Sequence, residues 1–260
     1  MKIYIFGASG FIGSHLVKKL TTLKHEVVII HHGKPYKVKD PDYILYLSSY
    51  GNHFNQQDKT KIVKANILDL YELLRETKDM PYKGFIHFST SSVILPIQTL
   101  YSDTKFIAEI LCRRYAKKYH KPITSIRPFS IYGEGEADFR FIPTVIHSLK
   151  KRGEMLVVNA NHDWTYIDDF IEGVLKVMDN ITKVVGRSVP IGTGKQYSNE
   201  TVIKILENIA KKKLKKQEVN TLRPYDSFNW VADATLICSL GWKPNVSLQE
   251  GLKRTYGYYK

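Results

Sequence analysis

A β-branched and aromatic run, Lys2-Ile3-Tyr4-Ile5-Phe6, passes directly into Gly7-Ala8-Ser9-Gly10-Phe11-Ile12-Gly13. Apolar residues then recur at helical spacing: Ile12, Leu16, Leu20 and Leu23. A strand that enters a glycine-rich turn and leaves as a helix is a phosphate site in the making. Gly7 can take turn dihedrals closed to other residues. Gly10 lets the backbone approach a pyrophosphate, and Gly13 lets the helix lie close to the strand. The helix N-terminus adds free N–H groups and a positive dipole end. The expected cofactor contacts are Gly7, Ser9, Gly10, Phe11, Ile12 and Gly13. The spacing is G-x-x-G-x-x-G, one residue wider than the usual dinucleotide fingerprint, and taken alone it also fits a glycine turn with no ligand.

The remaining pattern alternates strands and helices. Val27-Val28-Ile29-Ile30 is a continuous apolar run, as in buried parallel strands. Where an acid would usually meet the adenosine ribose, the chain has His31-His32-Gly33-Lys34. An acid repels a 2′-phosphate, whereas His31, His32 and Lys34 could accept one, so NADP is expected ahead of NAD. Tyr43 to Ser49 reads as the next strand, too close to the second for the usual inserted helix–strand–helix. The expected sheet is therefore trimmed, one edge strand short. Lys61 to Glu76 is helical by spacing, and Phe85 to Phe88 is a strand ending in the hydroxyl cluster Thr90-Ser91-Ser92. Tyr101 opens a helix to Tyr119 and shares one face of it with Lys105. Ile123 to Ile126 is a further strand, closed by Arg127-Pro128. Such alternation argues an α/β fold with a parallel sheet.

The totals narrow the class. A hydrophobic content of 43% with 25% charged residues suits a globular chain. No apolar run approaches the ~20 residues of a membrane span, and no signal peptide is expected ahead of the first strand. Cys112 and Cys238 are too few for a disulfide framework, so a reducing cytoplasm is expected. No metal site is expected. The net charge of +14 admits an anionic substrate, nucleic acid or simple solvation. The densest basic run, Lys211 to Lys216, follows an apolar helical pattern and reads as a solvated helix end.

Seven stretches, in order, resemble the extended short-chain dehydrogenase/reductase family of nucleotide-sugar epimerases, dehydratases and ketoreductases. They are GASGFIGS (7–14), FSTSSV (88–93), YSDTK (101–105), RPFSIYG (127–133), FIPTVI (141–146), DWTYIDDF (163–170) and ADATLICSLGWKP (232–244). The resemblance implies a Rossmann-type doubly wound sheet over 1–133 and 163–193. It also implies a smaller α+β substrate domain over 134–162 and 194–260. It implies that Thr90 hydrogen-bonds the reacting oxygen, that Tyr101 is the acid/base and that Lys105 assists it and holds the nicotinamide ribose. It places Leu47, Ser48, Ser49, Pro128 and Ile131 along the cofactor, and Ser91, Ser130, Arg140, Val157, His162 and Arg223 on the substrate side. His162 stands where a second phosphate-binding arginine is often found. Relatives dimerise through helices corresponding to 61–76 and 101–119, so a homodimer is expected.

Departures from the family narrow the chemistry. Family dehydratases follow the Thr with Asp-Glu, and here Ser91-Ser92 offers no carboxylate. The Cys and His of the fucose-type epimerase-reductases are also absent from the matching positions. Two chemistries remain: reduction of a 4-keto sugar, the first expectation because of His31 to Lys34, and C4 epimerisation, its alternative. A non-catalytic nucleotide- or RNA-binding member of the fold is the reading from another class, less expected because Thr90, Tyr101 and Lys105 are intact. Eleven residues separate Thr90 from Tyr101, so Ile94 to Leu100 must bridge quickly and leave a more open site than in relatives.

Overall fold

The computed structural model describes residues 1–151, 153–219 and 229–259. The chain runs β1 (Lys2–Phe6), α1 (Phe11–Thr22), β2 (Glu26–Ile30), β3 (Tyr43–Tyr46), α2 (Lys59–Val63), α3 (Asp69–Thr77), β4 (Gly84–Phe88), α4 (Leu100–Tyr119) and β5 (Ile123–Pro128). It continues as β6 (Ile131–Tyr132), α5 (Phe141–Lys151), β7 (Glu154–Val158), β8 (Asn161–His162), β9 (Thr165–Tyr166) and α6 (Ile167–Asp179). β10 (Ser188–Ile191), β11 (Tyr197–Ser198), α7 (Asn199–Ala210), β12 (Lys215–Val219), α8 (Thr235–Ser239) and α9 (Leu248–Tyr258) complete it.

Six strands form one parallel sheet in the order β10-β5-β4-β3-β1-β2. β2 is the edge, because 31–42 contributes no strand beyond it. The strand order reverses at β1, which lies between β2 and β3. At such a switch point the connections leave in opposite directions and open a crevice at the strand C-termini. The turn after β1 and the segment after β3 meet there.

Strand alternation sorts side chains to two cores. Ile3 and Ile5 go to one face with Leu16 and Leu20 of α1 and Phe170, Val174 and Val177 of α6. Tyr4 and Phe6 go to the other, with Leu70, Leu73 and Leu74 of α3 and Ala108, Cys112 and Ala116 of α4. A fully buried Leu contributes roughly 1.5–3 kcal/mol, enough for two to hold α1 on the sheet. The first core continues into Ile142, Val145, Val202, Leu206 and Leu252, so α5, α7 and α9 share it with the sheet.

Two local readings change. The helix expected over 61–76 is broken: α2, capped by the Asp58 side chain on the Lys61 N–H, passes through a π-helical turn, Lys64–Leu68, into α3. Asn66 in that turn donates to the Tyr50 carbonyl (2.9 Å) and to Thr104 Oγ1 (2.9 Å), and accepts from the Tyr50 N–H (3.0 Å). The wide turn aims one amide at two other segments, which a uniform helix would not do. The strand expected over Tyr43 to Ser49 stops at Tyr46. The basic run closes α7 through Lys211 in the left-handed conformation, and Lys213 pairs with Glu207 at 2.8 Å. Among the described residues, no helix is long and apolar enough to cross a membrane, and no group of three His, Cys, Asp or Glu could hold a metal.

Candidate active site

Gly7 takes φ +86°, and a Cβ there would stand 2.8 Å from the Ser48 N and 2.9 Å from the Leu47 carbonyl carbon. It is glycine because the segment after β3 lies against it. A Cβ on Gly13 would stand 2.3 Å from the Gly7 oxygen, so Gly13 lets α1 seat on its own turn. Gly10 is different: a Cβ would meet only the Gly7 oxygen, at 3.5 Å. Nothing in the protein requires glycine there, which fits a backbone left bare for a ligand. Gly10 caps α1 with no side-chain hydrogen bond, and no acid stands in the first turn to occupy the positive end. Ser9 is exposed, and Phe11 and Ile12 are half-buried. These residues fit a dinucleotide pyrophosphate. His31, His32 and Lys34 lie exposed beyond the end of β2 in a turn closed by the Lys34 N–H on the His31 carbonyl (3.2 Å).

Tyr101 stands in the first turn of α4, whose cap is reciprocal: Thr99 Oγ1 accepts from the Ser102 N–H, and Ser102 Oγ from the Thr99 N–H. Burial pushes the Tyr101 phenol up to about 12, against the Arg140 guanidinium and the Ser49 and Thr90 side chains, which pull it down. Tyr101, Thr90 and Ser49 therefore share one site at the strand C-termini. Thr90 also accepts from the Ser92 N–H (3.2 Å) and donates to Ser92 Oγ (3.1 Å). Arg140 reaches in from the loop before α5 and donates to the Asn52 carbonyl at 3.3 Å. Phe139 beside it makes edge contacts with His53 (4.9 Å) and Phe54 (5.4 Å). Two loops thus close over the phenol, while Ile94 and Ile97 of the short 94–100 segment stay exposed.

Lys105 is fully buried, and its Nζ lies 3.1 Å from Nε2 of His87 on β4. The cation that faces the phenol is Arg140.

On the other side of the crevice, Ser130 Oγ lies 3.2 Å from Nδ1 of His162. Pro128 and Ile131 flank it, half-buried. The His162 ring packs against Trp164 (4.9 Å) and Trp230 (5.2 Å). Burial holds this imidazole down at about 4, so at neutral pH it carries no charge for a phosphate. Trp164 Nε1 and Trp230 Nε1 are buried without a partner. Val157, expected near the base, turns into the core at 4% exposed, because alternation along β7 sends Leu156 outward at 63%. Ser91 is likewise buried in the turn after Thr90. Arg223 lies outside the described residues.

Sequence reasoning missed two supports. Asn66, described above, ties α4 to the segment after β3. Asp163 is fully buried, and its carboxylate accepts from the Thr193 N–H (2.7 Å), Thr193 Oγ1 (2.6 Å), the Gly194 N–H (2.9 Å) and the Ala232 N–H (3.1 Å). It thereby fixes the neighbours of His162. Asp169, in the first turn of α6, accepts from the Asn245 and Val246 N–H groups of the C-terminal segment.

The family model of the NAD dependent epimerase/dehydratase family matches residues 3–192. A protein of Bacillus subtilis (strain 168) described as an uncharacterized UDP-glucose epimerase is 26% identical over 99% of this chain and 98% of its own. A UDP-glucuronate 4-epimerase of Thermodesulfobacterium geofontis is 30% identical over 76% of this chain and 66% of its own. The crystal structure of a UDP-glucuronic acid 4-epimerase from Bacillus cereus, in complex with UDP-glucuronic acid and NAD, superposes with a TM-score of 0.90 at 28% identity, covering 100% of this chain and 99% of that one.

Proposed function

The chain belongs to the NAD-dependent epimerase/dehydratase family, and we propose that within it this protein is an NAD-dependent epimerase inverting C4 of a UDP-linked sugar, UDP-glucuronate first among candidates. The observation that carries the reading is the Tyr101 phenol, faced by Thr90, Ser49 and Arg140 beside the bare Gly10 turn. It replaces the keto-sugar reductase as first reading. The solved relative at 28% identity holds NAD, so the NADP preference taken from His31, His32 and Lys34 is withdrawn.

In this reading the N-terminus of α1 and Gly10 hold the cofactor pyrophosphate, and Leu47 to Ser49 with Pro128 and Ile131 border the rest. When bound, NAD supplies the hydride acceptor and donor at C4. Tyr101 would take the proton of the C4 hydroxyl and give it back to the same oxygen after C4 has been inverted. An isolated phenol is too weak a base for this at neutral pH, and the Arg140 cation offsets part of the burial that weakens it further. Thr90 orients the reacting oxygen. Segments 134–162 and 194–260 hold the nucleotide, with Ser130 and His162 as neutral partners and Arg223 as the guanidinium for its phosphates. Leu68, Tyr71, Phe106, Ile107 and Ile110 are exposed along 61–76 and 101–119, which supports pairing of two copies there.

The test is direct. With catalytic NAD and UDP-glucuronate, the purified chain should form UDP-galacturonate with no net NADH. Oxidation of NADPH by a 4-keto nucleotide sugar, without epimer formation, would return the reductase reading.

A further inference from the structure

His87 is a polar residue in the middle of a buried strand. Its neighbours Phe85, Ile86 and Phe88 are apolar, and all of β4 is buried. An imidazole there loses hydration that a Phe or Val would not, so the position calls for a reason beyond packing.

The reason lies in its two bonds. Nε2 is 3.1 Å from Nζ of Lys105 on α4, and Nδ1 is 3.1 Å from Oγ of Ser125 on β5. All three residues are buried. An ammonium has donors only, so Nε2 accepts and the single proton of the neutral ring sits on Nδ1, where it donates to Ser125. Ser125 acts on the Cys112 thiol, seven residues along α4 from Lys105, which is buried as well. The chain of bonds leaves α4, crosses β4 and ends on Ser125 of β5. With buried residues at both ends it offers protons no route to solvent. It can fix a ring, and through the ring an ammonium.

We propose that His87 is a positioning residue, which sets where the Lys105 ammonium stands and keeps it protonated. The inference rests on the proposed epimerase reading, with Lys105 assisting Tyr101 as the family resemblance implies. The groups facing Lys105 are His87 from β4 and Glu109 and Cys112 from its own helix; Arg127 of β5 neutralises Glu109 through two bonds of 2.8 and 2.6 Å. Burial holds Lys105 down at about 8, against Cys112 and Glu109. Burial and the nearby ammonium keep His87 well below its ordinary value, hence neutral and able to accept. A buried ammonium with so little opposing charge depends on that acceptor.

The test has two arms. In the full chain without substrate, NMR of the histidine ring nitrogens at pH 7 should show His87 protonated on Nδ1 and accepting on Nε2; the opposite tautomer overturns the proposal. With NAD and UDP-glucuronate, H87F keeps the bulk and removes the acceptor. It should lower kcat about 10²-fold, as a misplaced group does. It should also move the alkaline limb of the kcat profile to lower pH, because the unaccepted ammonium gives up its proton sooner. H87Q, whose amide oxygen can accept, should return the limb toward wild type. Wild-type kcat and an unmoved limb in H87F overturn the proposal. If H87F does not melt cooperatively, S125A is judged by the same limb, with the same direction expected and an unmoved limb overturning it. Turnover retained by K105M or Y101F would instead overturn the catalytic pair, and this inference with it.

Discussion

The two ends of the crevice are built from different material. At the dinucleotide end the site is backbone: Gly7 and Gly13 are fixed by atoms 2.8 and 2.3 Å from where a Cβ would be, and Gly10 is bare. At the sugar-nucleotide end the site is side chains drawn from distant segments. Ser130, His162, Trp164 and Trp230 touch only because Asp163 gathers three backbone N–H groups and a hydroxyl around itself. A backbone site tolerates drift in every residue but its glycines. A side-chain site can exchange a cation for a neutral ring such as His162 while the fold stays put. The contrast fits a chain that superposes on a solved relative with a TM-score of 0.90 at 28% identity.

The widest separation between fold and chemistry comes from Tyr101→Phe. Turnover should fall roughly 10²–10⁴-fold while NAD binding, measured by fluorescence titration, stays as in wild type. If NAD binding falls with it, the two ends are not independent and the contrast breaks. Next is a pair at the dinucleotide end. Gly13→Ala should destabilise the fold by roughly 1–3 kcal/mol in urea melts, since its Cβ would meet a carbonyl. Gly10→Ala should melt like wild type and weaken NAD by about tenfold, or about 1.4 kcal/mol. Equal stability losses would erase the distinction between glycines kept for packing and one kept for a ligand.

A smaller effect should appear in acid. The His162 pKa is lowered to about 4 in the folded chain, so between its ordinary value near 6.5 and about 4 the unfolded chain binds a proton that the folded one refuses. Stability contributed by the neutral ring is whole above pH 6.5 and is lost as pH falls through that window. His87, held down by burial, acts in the same direction. His162→Phe should flatten the pH dependence of the urea midpoint over this range; an unchanged slope would mean the ring is charged and the sugar end is cationic after all. The smallest effect belongs to Leu156→Ala, which should change stability by about 0.5 kcal/mol or less. If KM for the nucleotide sugar rises in that variant, the outward face of β7 borders the nucleotide.

How much could be read in advance followed the range of the interactions. The α/β class, the parallel sheet, the glycine turn and the shared face of Tyr101 and Lys105 rest on spacings of two to six residues, which a sequence displays directly. The break at Asn66 was hidden because apolar periodicity runs through a π turn almost unchanged, and the inward turn of Val157 because four apolar residues in a row carry no alternation to read. Residues alone thus determined which backbone this is and where it can cradle an anion. The tertiary structure decided that Lys105 pairs with His87, that Arg140 is the cation facing Tyr101, and that His162 is a neutral ring against two tryptophans. Trp164 excepted, these partners lie 18 to 68 residues apart, with Lys105 and His87 separated by 18. Only the packing of whole elements brings such groups within bonding distance, and only their burial sets which of them is charged.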